Sequence, residues 1–178
     1  MDLQIKYIEK LKSEQILVDV YTDKYDESFC GYIVEYTTDF IVLEKYGDDC
    51  NYDGVSILLI RNISRIRWGG NELESSAYLI DASKRHNGSF NIDLSSMHAV
   101  LQSVEKLYNH LSVYIQDIDS SFCIIGQIHE MDDTSVVLKE YGTKSSLDRK
   151  YILLLLEDIT RIDANSQYEK SLMRLYKV

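Results

Sequence analysis

Residues 40–47 read FIVLEKYG, and residues 135–142 read SVVLKEYG. The second stretch lies 95 positions after the first, and working outward from the pair decides how the rest of the chain is read. Upstream, Gly31 aligns with Gly126, Ile33 with Ile128, Glu35 with Glu130, Val18 with Val113 and Val20 with Ile115. Earlier still, IEKL at 8–11 echoes VEKL at 104–107 after one residue of slippage. Downstream, ILLIRNISRI at 57–66 matches ILLLLEDITRI at 152–162, with Ile63, Arg65 and Ile66 meeting Ile159, Arg161 and Ile162. The features keep one order throughout. The chain therefore reads as an internal duplication: a first unit over 1–82, a linker over 83–95 and a second unit over 96–178.

Each unit reads as a short helix followed by five strands. In the second, Met97, Val100, Leu101, Val104, Leu107, Tyr108 and Leu111 recur at the spacing of one buried helical stripe, with Ser95 or Ser96 placed to cap it. The first helix carries Ile5, Ile8 and Leu11. Strands follow over 16–21, 28–36, 40–46 and 55–61, with a last one beginning near Arg65; Ile16, Val18 and Val20 alternate as in a half-buried strand. VSILLI at 55–60 and YILLLL at 151–156 are apolar on both faces, which predicts that each is the innermost strand of its unit. Gly31 and Gly126 interrupt good strands, as a strongly bent sheet requires. A unit this small buries little apolar area, and closing its sheet removes exposed edges, so a barrel with the helix over one end is expected. Residues 81–95, DASKRHNGSFNIDLS, lack periodicity, and Asn87-Gly88 marks a turn within them.

A helix, then V-x-V, then G-x-I, then an acid before F-I-V-L, then an apolar strand ending in Ile60-Arg61-Asn62, resembles the Sm-like family. The resemblance covers Leu3 to about Leu79, and again Met97 to about Leu175; LLIRNISRI is also similar to the closing phrase of SH3-like barrels. It implies a mainly β fold with short α-helices (α+β): tandem Sm-like or SH3-like five-stranded barrels, each preceded by an N-terminal helix. It further implies an RNA site. In this sequence the two base-holding loops of the family fall at Thr37, Thr38, Asp39 and Phe40, and at Arg61 and Asn62. The chain departs from the pattern there. No glycine follows Arg61, no asparagine stands near Phe40, and the second unit offers Ser135 and Glu157-Asp158 instead. An aromatic to stack on a base and a cation beside it are what such a pocket needs, and only the first unit holds both. Sm-like barrels also assemble through edge strands, so the resemblance implies a ring as well as a monomer of two packed units.

Charge weighs against nucleic acid. The net charge is −10, with 10 Lys+Arg against 16 Asp+Glu in residues 1–90 and 9 against 13 in 91–178. Such a field repels phosphate backbones, and no basic run of five or more exists to offset it, which excludes DNA and disfavours RNA. The longest apolar run, Tyr151 to Leu156, is far shorter than the roughly 20 residues of a membrane span. MDLQIKYIEK holds no uninterrupted apolar region for a signal peptide. Cys30, Cys50 and Cys123 are odd in number and widely spaced, which argues against disulfides and zinc and fits a reducing cytosol.

No constellation for catalysis emerges. Asp49, Asn51, Asp53 and Gly54 open a calcium-loop pattern, but its twelfth position is Ile60 where a bidentate carboxylate belongs, so GDDCNYDG reads as a turn with Asp53-Gly54 at its bend. His86, His98, His110 and His129 are scattered, and His98 and His110 fall off the helix stripe, on the solvated side. Asp132-Asp133 reads as a turn former. Asp48, Asp49 and Asp53 around Cys50 disfavour a thiolate there. Tyrosines 21, 25, 32, 36, 46 and 52 crowd the first unit, a composition suited to interfaces and to strand surfaces alike. The sequence thus points to a cytoplasmic, non-catalytic protein without cofactor or metal, acting through protein contacts or self-association. The alternative is an Sm-like RNA binder working through Asp39, Phe40, Arg61 and Asn62.

Overall fold

The structure, a computed structural model, describes residues 2–85 and 89–176. His86, Asn87 and Gly88, assigned above to the linker, lie outside the described residues. The chain folds as two compact units, residues 1–90 and 91–178. Together the described residues form ten antiparallel strands and four α-helices.

The first unit runs α1 (Leu3–Ser13), β1 (Leu17–Thr22), β2 (Glu27–Tyr36), β3 (Phe40–Tyr46), β4 (Tyr52–Leu59), β5 (Arg65–Trp68) and α2 (Asn71–Leu79). Asp2 caps α1 through its carboxylate, which accepts from the Gln4 N–H at 3.2 Å. The strands are hydrogen-bonded in the order β5-β1-β2-β3-β4. Alternation sorts the side chains between two layers. Ile8 and Leu11 of α1 pack with Val18, Val20, Ile33, Ile41, Leu43 and Leu58 on one face. Leu17, Tyr32 and Tyr46, on the other face, pack with Leu73 and Ile80 at the two ends of α2.

The second unit repeats the plan with α3 (Met97–Tyr108), β6 (Leu111–Tyr114), β7 (Cys123–Met131), β8 (Ser135–Tyr141), β9 (Arg149–Leu155), β10 (Arg161–Ala164) and α4 (Gln167–Tyr176). Its strand order is β10-β6-β7-β8-β9. The Ser96 hydroxyl caps α3 by accepting from the Ala99 N–H at 3.1 Å. Val100, Leu101 and Val104 face the sheet and are fully buried, while Leu172 and Met173 of α4 pack with Tyr141 on the opposite face.

Local bonds recur between the units. Thr37 N–H donates to the Phe40 carbonyl and Asp132 N–H to that of Ser135; Ile60 N–H donates to Asp39 and Leu156 N–H to Thr134. The strand register slips between Ile33 and Glu35 and again between Ile128 and Glu130, two residues past each glycine. A Cβ on Gly31 would run into the Glu44 carbonyl oxygen, and one on Gly126 would lie 2.8 Å from that of Lys139. Glycine is required here for the close approach of the neighbouring strand.

Three expectations are corrected. First, the units are not tandem closed five-stranded barrels. Each is an open line of strands, and among the described residues no pairing joins β4 to β5 or β9 to β10. The unforeseen helices α2 and α4 explain why: each covers the face that closure was expected to bury. Second, YILLLL is not an innermost strand, since β9 stands last in its unit's order with Tyr151, Leu153 and Leu155 exposed, whereas VSILLI in and after β4 is buried throughout. Third, the outer repeat alignment shifts. Gly31 faces Val18, whereas Gly126 faces Leu111, so Val18 corresponds to Leu111 rather than Val113 and Val20 to Val113 rather than Ile115. A shift of two keeps every side chain on its face, so periodicity could not reveal it. IEKL and VEKL likewise do not correspond, because Leu11 is buried while Leu107 is 45% exposed.

Candidate functional site

The feature that stands out on the second unit is strand β9. It pairs with β8 from Tyr141↔Arg149 to Ser135↔Leu155 without a register shift, and among the described strands of its unit it has no neighbour on its other side. Leu154 points into the core and is buried. The other face presents Tyr151, Leu153 and Leu155 at 57%, 67% and 46% exposure. An edge strand carries a row of backbone N–H and C=O groups without partners, and folded proteins usually blunt such edges by brevity, charge, proline or a bulge. β9 has seven residues with no proline and no bulge, and its charges, Arg149 and Lys150, lie only at its start. The first unit's edge β5 is the contrast. It is four residues long and carries Arg65 and Arg67.

The surroundings hold β9 in place. The Arg149 guanidinium lies 3.8 Å from the centre of the Tyr141 ring and donates to the Lys139 carbonyl at 3.2 Å and to Gln127 at 3.3 Å. Lys150 lies 3.7 Å from the Glu140 carboxylate. The Tyr151 ring sits 4.9 Å from that of His129. These contacts fix the start of the strand and leave Leu153 and Leu155 uncovered. In the sequence the residues of this surface form an apolar run that is expected in the interior; nothing in the run itself marks it as an edge.

The residues expected for RNA are brought close together. The Asp39 carbonyl accepts from the Ile60 N–H at 2.8 Å, and Phe40 pairs with Leu59, so the turn before β3 adjoins the 3-10 turn Ile60–Asn62. Their side chains diverge in character. Phe40 is 5% exposed, its ring enclosed, whereas Asp39 and Arg61 are exposed and Asn62 is half-buried.

The calcium-loop pattern is split between a turn and a strand. The turn spans Gly47 to Asn51, ahead of the expected bend at Asp53-Gly54: Cys50 N–H donates to Gly47 at 2.9 Å and Gly47 N–H to Asn51 at 2.9 Å, with Cys50 at φ 59°. Asp53 and Gly54 belong to β4. The Asp49 carboxylate is engaged by Asn51, accepting from its N–H at 3.1 Å and its side-chain amide at 2.8 Å. No group of three or more His, Cys, Asp or Glu among the described residues is arranged to hold a metal ion.

On the first unit a groove of about 730 Å³ opens between the sheet and α2. Both of its cations are paired, Arg67 with Asp19 at 2.5 Å and Glu72 at 3.1 Å and Lys45 with Asp53 at 3.6 Å, while Asp48 adds a further acid to the lining. Burial, together with the Asp19 carboxylate, pushes the Cys30 thiol up to about 12, opposite to what a nucleophile needs. His110, expected in solvent, is buried. It follows the end of α3, and its Nε2 lies 3.7 Å from the Glu169 carboxylate. Asp132 acts in its turn, accepting from the Thr134 and Ser135 N–H groups at 2.8 Å each.

No helix among the described residues is long and apolar enough to cross a membrane. No protein-family model, no curated protein and no solved structure matches the chain.

Proposed function

We propose that the chain is a non-catalytic protein-interaction and self-assembly module that makes its contacts through β9. One observation carries the reading: an unbulged edge strand presents three exposed apolar side chains beside a row of backbone groups with no strand of the described residues against them. Either feature alone is common on a protein surface. Together they make the template on which another strand adds, with main-chain bonds for affinity and side chains for specificity. The raised thiol pKa of Cys30 argues against a nucleophile in the groove. The three free cysteines agree with a cytosolic setting. Kinship to the Sm-like family is part of the proposal and rests only on the short V-x-V, G-x-I, F-I-V-L and Ile60-Arg61-Asn62 motifs.

Hydrogen exchange tests it. The amides of β9 facing away from β8 exchange quickly in dilute protein and become protected as protein concentration rises or when a cell extract is added. Leu153→Arg removes that protection. Fast exchange at all concentrations and with extract present rules the reading out.

A further inference from the structure

The charge order along β9 and its continuation says what kind of strand fits it. Residues 149–158 read RKYILLLLED, two cations, six apolar residues and two acids. Glu157 is exposed and Asp158 half-buried, in the 3-10 turn that follows the strand. A parallel copy of this segment would set like charges side by side. An antiparallel copy sets each basic end against an acidic one. Like charges directly opposite destabilise a strand pair and opposite charges support it.

Parity then selects the register. Side chains directly across an antiparallel pair lie on the same face. With Leu153 opposite Leu153 of the copy, Tyr151 stands across from Leu155, and the basic start of each strand lies toward the acidic turn that follows the other. The exposed side chains of both strands then form one continuous apolar row, flanked by opposite charges. A shift by one residue would instead set each exposed side chain across from a core-facing one. We infer that β9 pairs antiparallel with β9 of a second copy of this chain, on a two-fold axis passing at Leu153. This rests on the reading of β9 as the contact strand and adds the identity and direction of its partner. Such an interface is self-complementary and closes at two chains. The net charge of −10 opposes the encounter at long range, so salt strengthens the association.

Directly opposed positions in an antiparallel pair have Cα atoms about 4.5–5.5 Å apart, within the range a disulfide spans. In the full chain, Leu153→Cys therefore forms a covalent dimer in a glutathione redox buffer. Chains carrying Tyr151→Cys cross-link to chains carrying Leu155→Cys and much less to their own kind. By light scattering the unaltered chain has about twice its mass of 20.7 kDa. Leu153→Arg raises its dissociation constant about 30-fold or more, the effect of an interface hot spot. Because Leu153 is exposed, that variant keeps the urea midpoint of the parent at concentrations low enough for both to be monomers. A monomer at about 100 μM, or a dimer that does not cross-link at position 153, overturns the inference. If β9 is nevertheless protected by a component of the extract, the contact-strand reading stands and only the second copy fails.

Discussion

Glu169 and Ser166 cap the same helix reciprocally: the Ser166 N–H donates to the Glu169 carboxylate at 2.7 Å, and the Glu169 N–H donates to the Ser166 hydroxyl at 3.1 Å. The pattern is a capping box at the start of α4. It is unusual in being buried, and the carboxylate also accepts from the Ser112 hydroxyl and faces His110. Burial pushes the Glu169 pKa up, but the facing His110 and the bonds from Ser112 and Ser166 outweigh it and hold the group below its ordinary value. A carboxyl with a depressed folded pKa contributes stability above its unfolded pKa of about 4.3 and loses it as pH falls through the folded value. Glu169→Gln should therefore cost about 1–3 kcal/mol at pH 7. Urea midpoints of parent and variant should converge below about pH 4; a gap independent of pH would show that the charge contributes nothing.

The glycines of β2 and β7 make a sharper test of the packing. Gly126→Ala puts a Cβ against the Lys139 main chain, and Gly31→Ala puts one against that of Glu44. Backbone on a central strand has little room to move, so each should destabilise by about 1–3 kcal/mol or more. Ser28→Ala, on the same strand as Gly31 but exposed, should stay within about 0.5 kcal/mol. Chemical denaturation of the three variants decides it.

The spread of legibility follows from what each signal can encode. Ile8, Leu11, Val100, Leu101 and Val104 were readable as core because helical periodicity reports burial directly. The strands were readable to within a few residues for the same reason. Closure was not, because alternation says which side chains share a face and nothing about what covers that face. In the first unit Leu73, Ala77 and Ile80 supply the cover, too few apolar residues to announce a helix. α4 did carry a signal, since Ser166 and Glu169 have capping-box spacing ahead of Leu172 and Met173. The exposure of Leu153 was unreadable in principle. LLLL gives the same string whether a strand lies inside a sheet or at its border.

Phe40 and Arg61 separate a core position from a surface one. Phe40→Ala should cost about 3–5 kcal/mol, as for other enclosed aromatics. Arg61→Ala, on an exposed side chain, should move stability by less than about 0.5 kcal/mol. With this charge, purified protein should also carry no nucleic acid by its absorbance at 260 and 280 nm. Single-stranded RNA retained at low salt and released by Arg61→Ala would restore a binding role to the turn.

The thiols offer the last test. Burial raises Cys30 to about 12 and Cys123 to about 11. At pH 8 the thiolate fractions are then roughly 1 in 10⁴ and 1 in 10³, against about a quarter for an ordinary thiol near 8.5. Only the thiolate attacks, so iodoacetamide should label both at least about 100-fold more slowly in the native chain than in urea. Peptide mass spectrometry after timed quenching reads each site separately. The raised values also fix a sign. An acid that stays protonated in the fold contributes stability below its unfolded pKa and loses it as pH rises beyond. Native stability should therefore decline above about pH 8.5, and Cys30→Ala should flatten part of that decline. Labelling of Cys30 at its unfolded rate would mean that the groove beside α2 leaves the sulfur open to solvent, against the packing of its neighbours Leu17, Tyr32 and Tyr46.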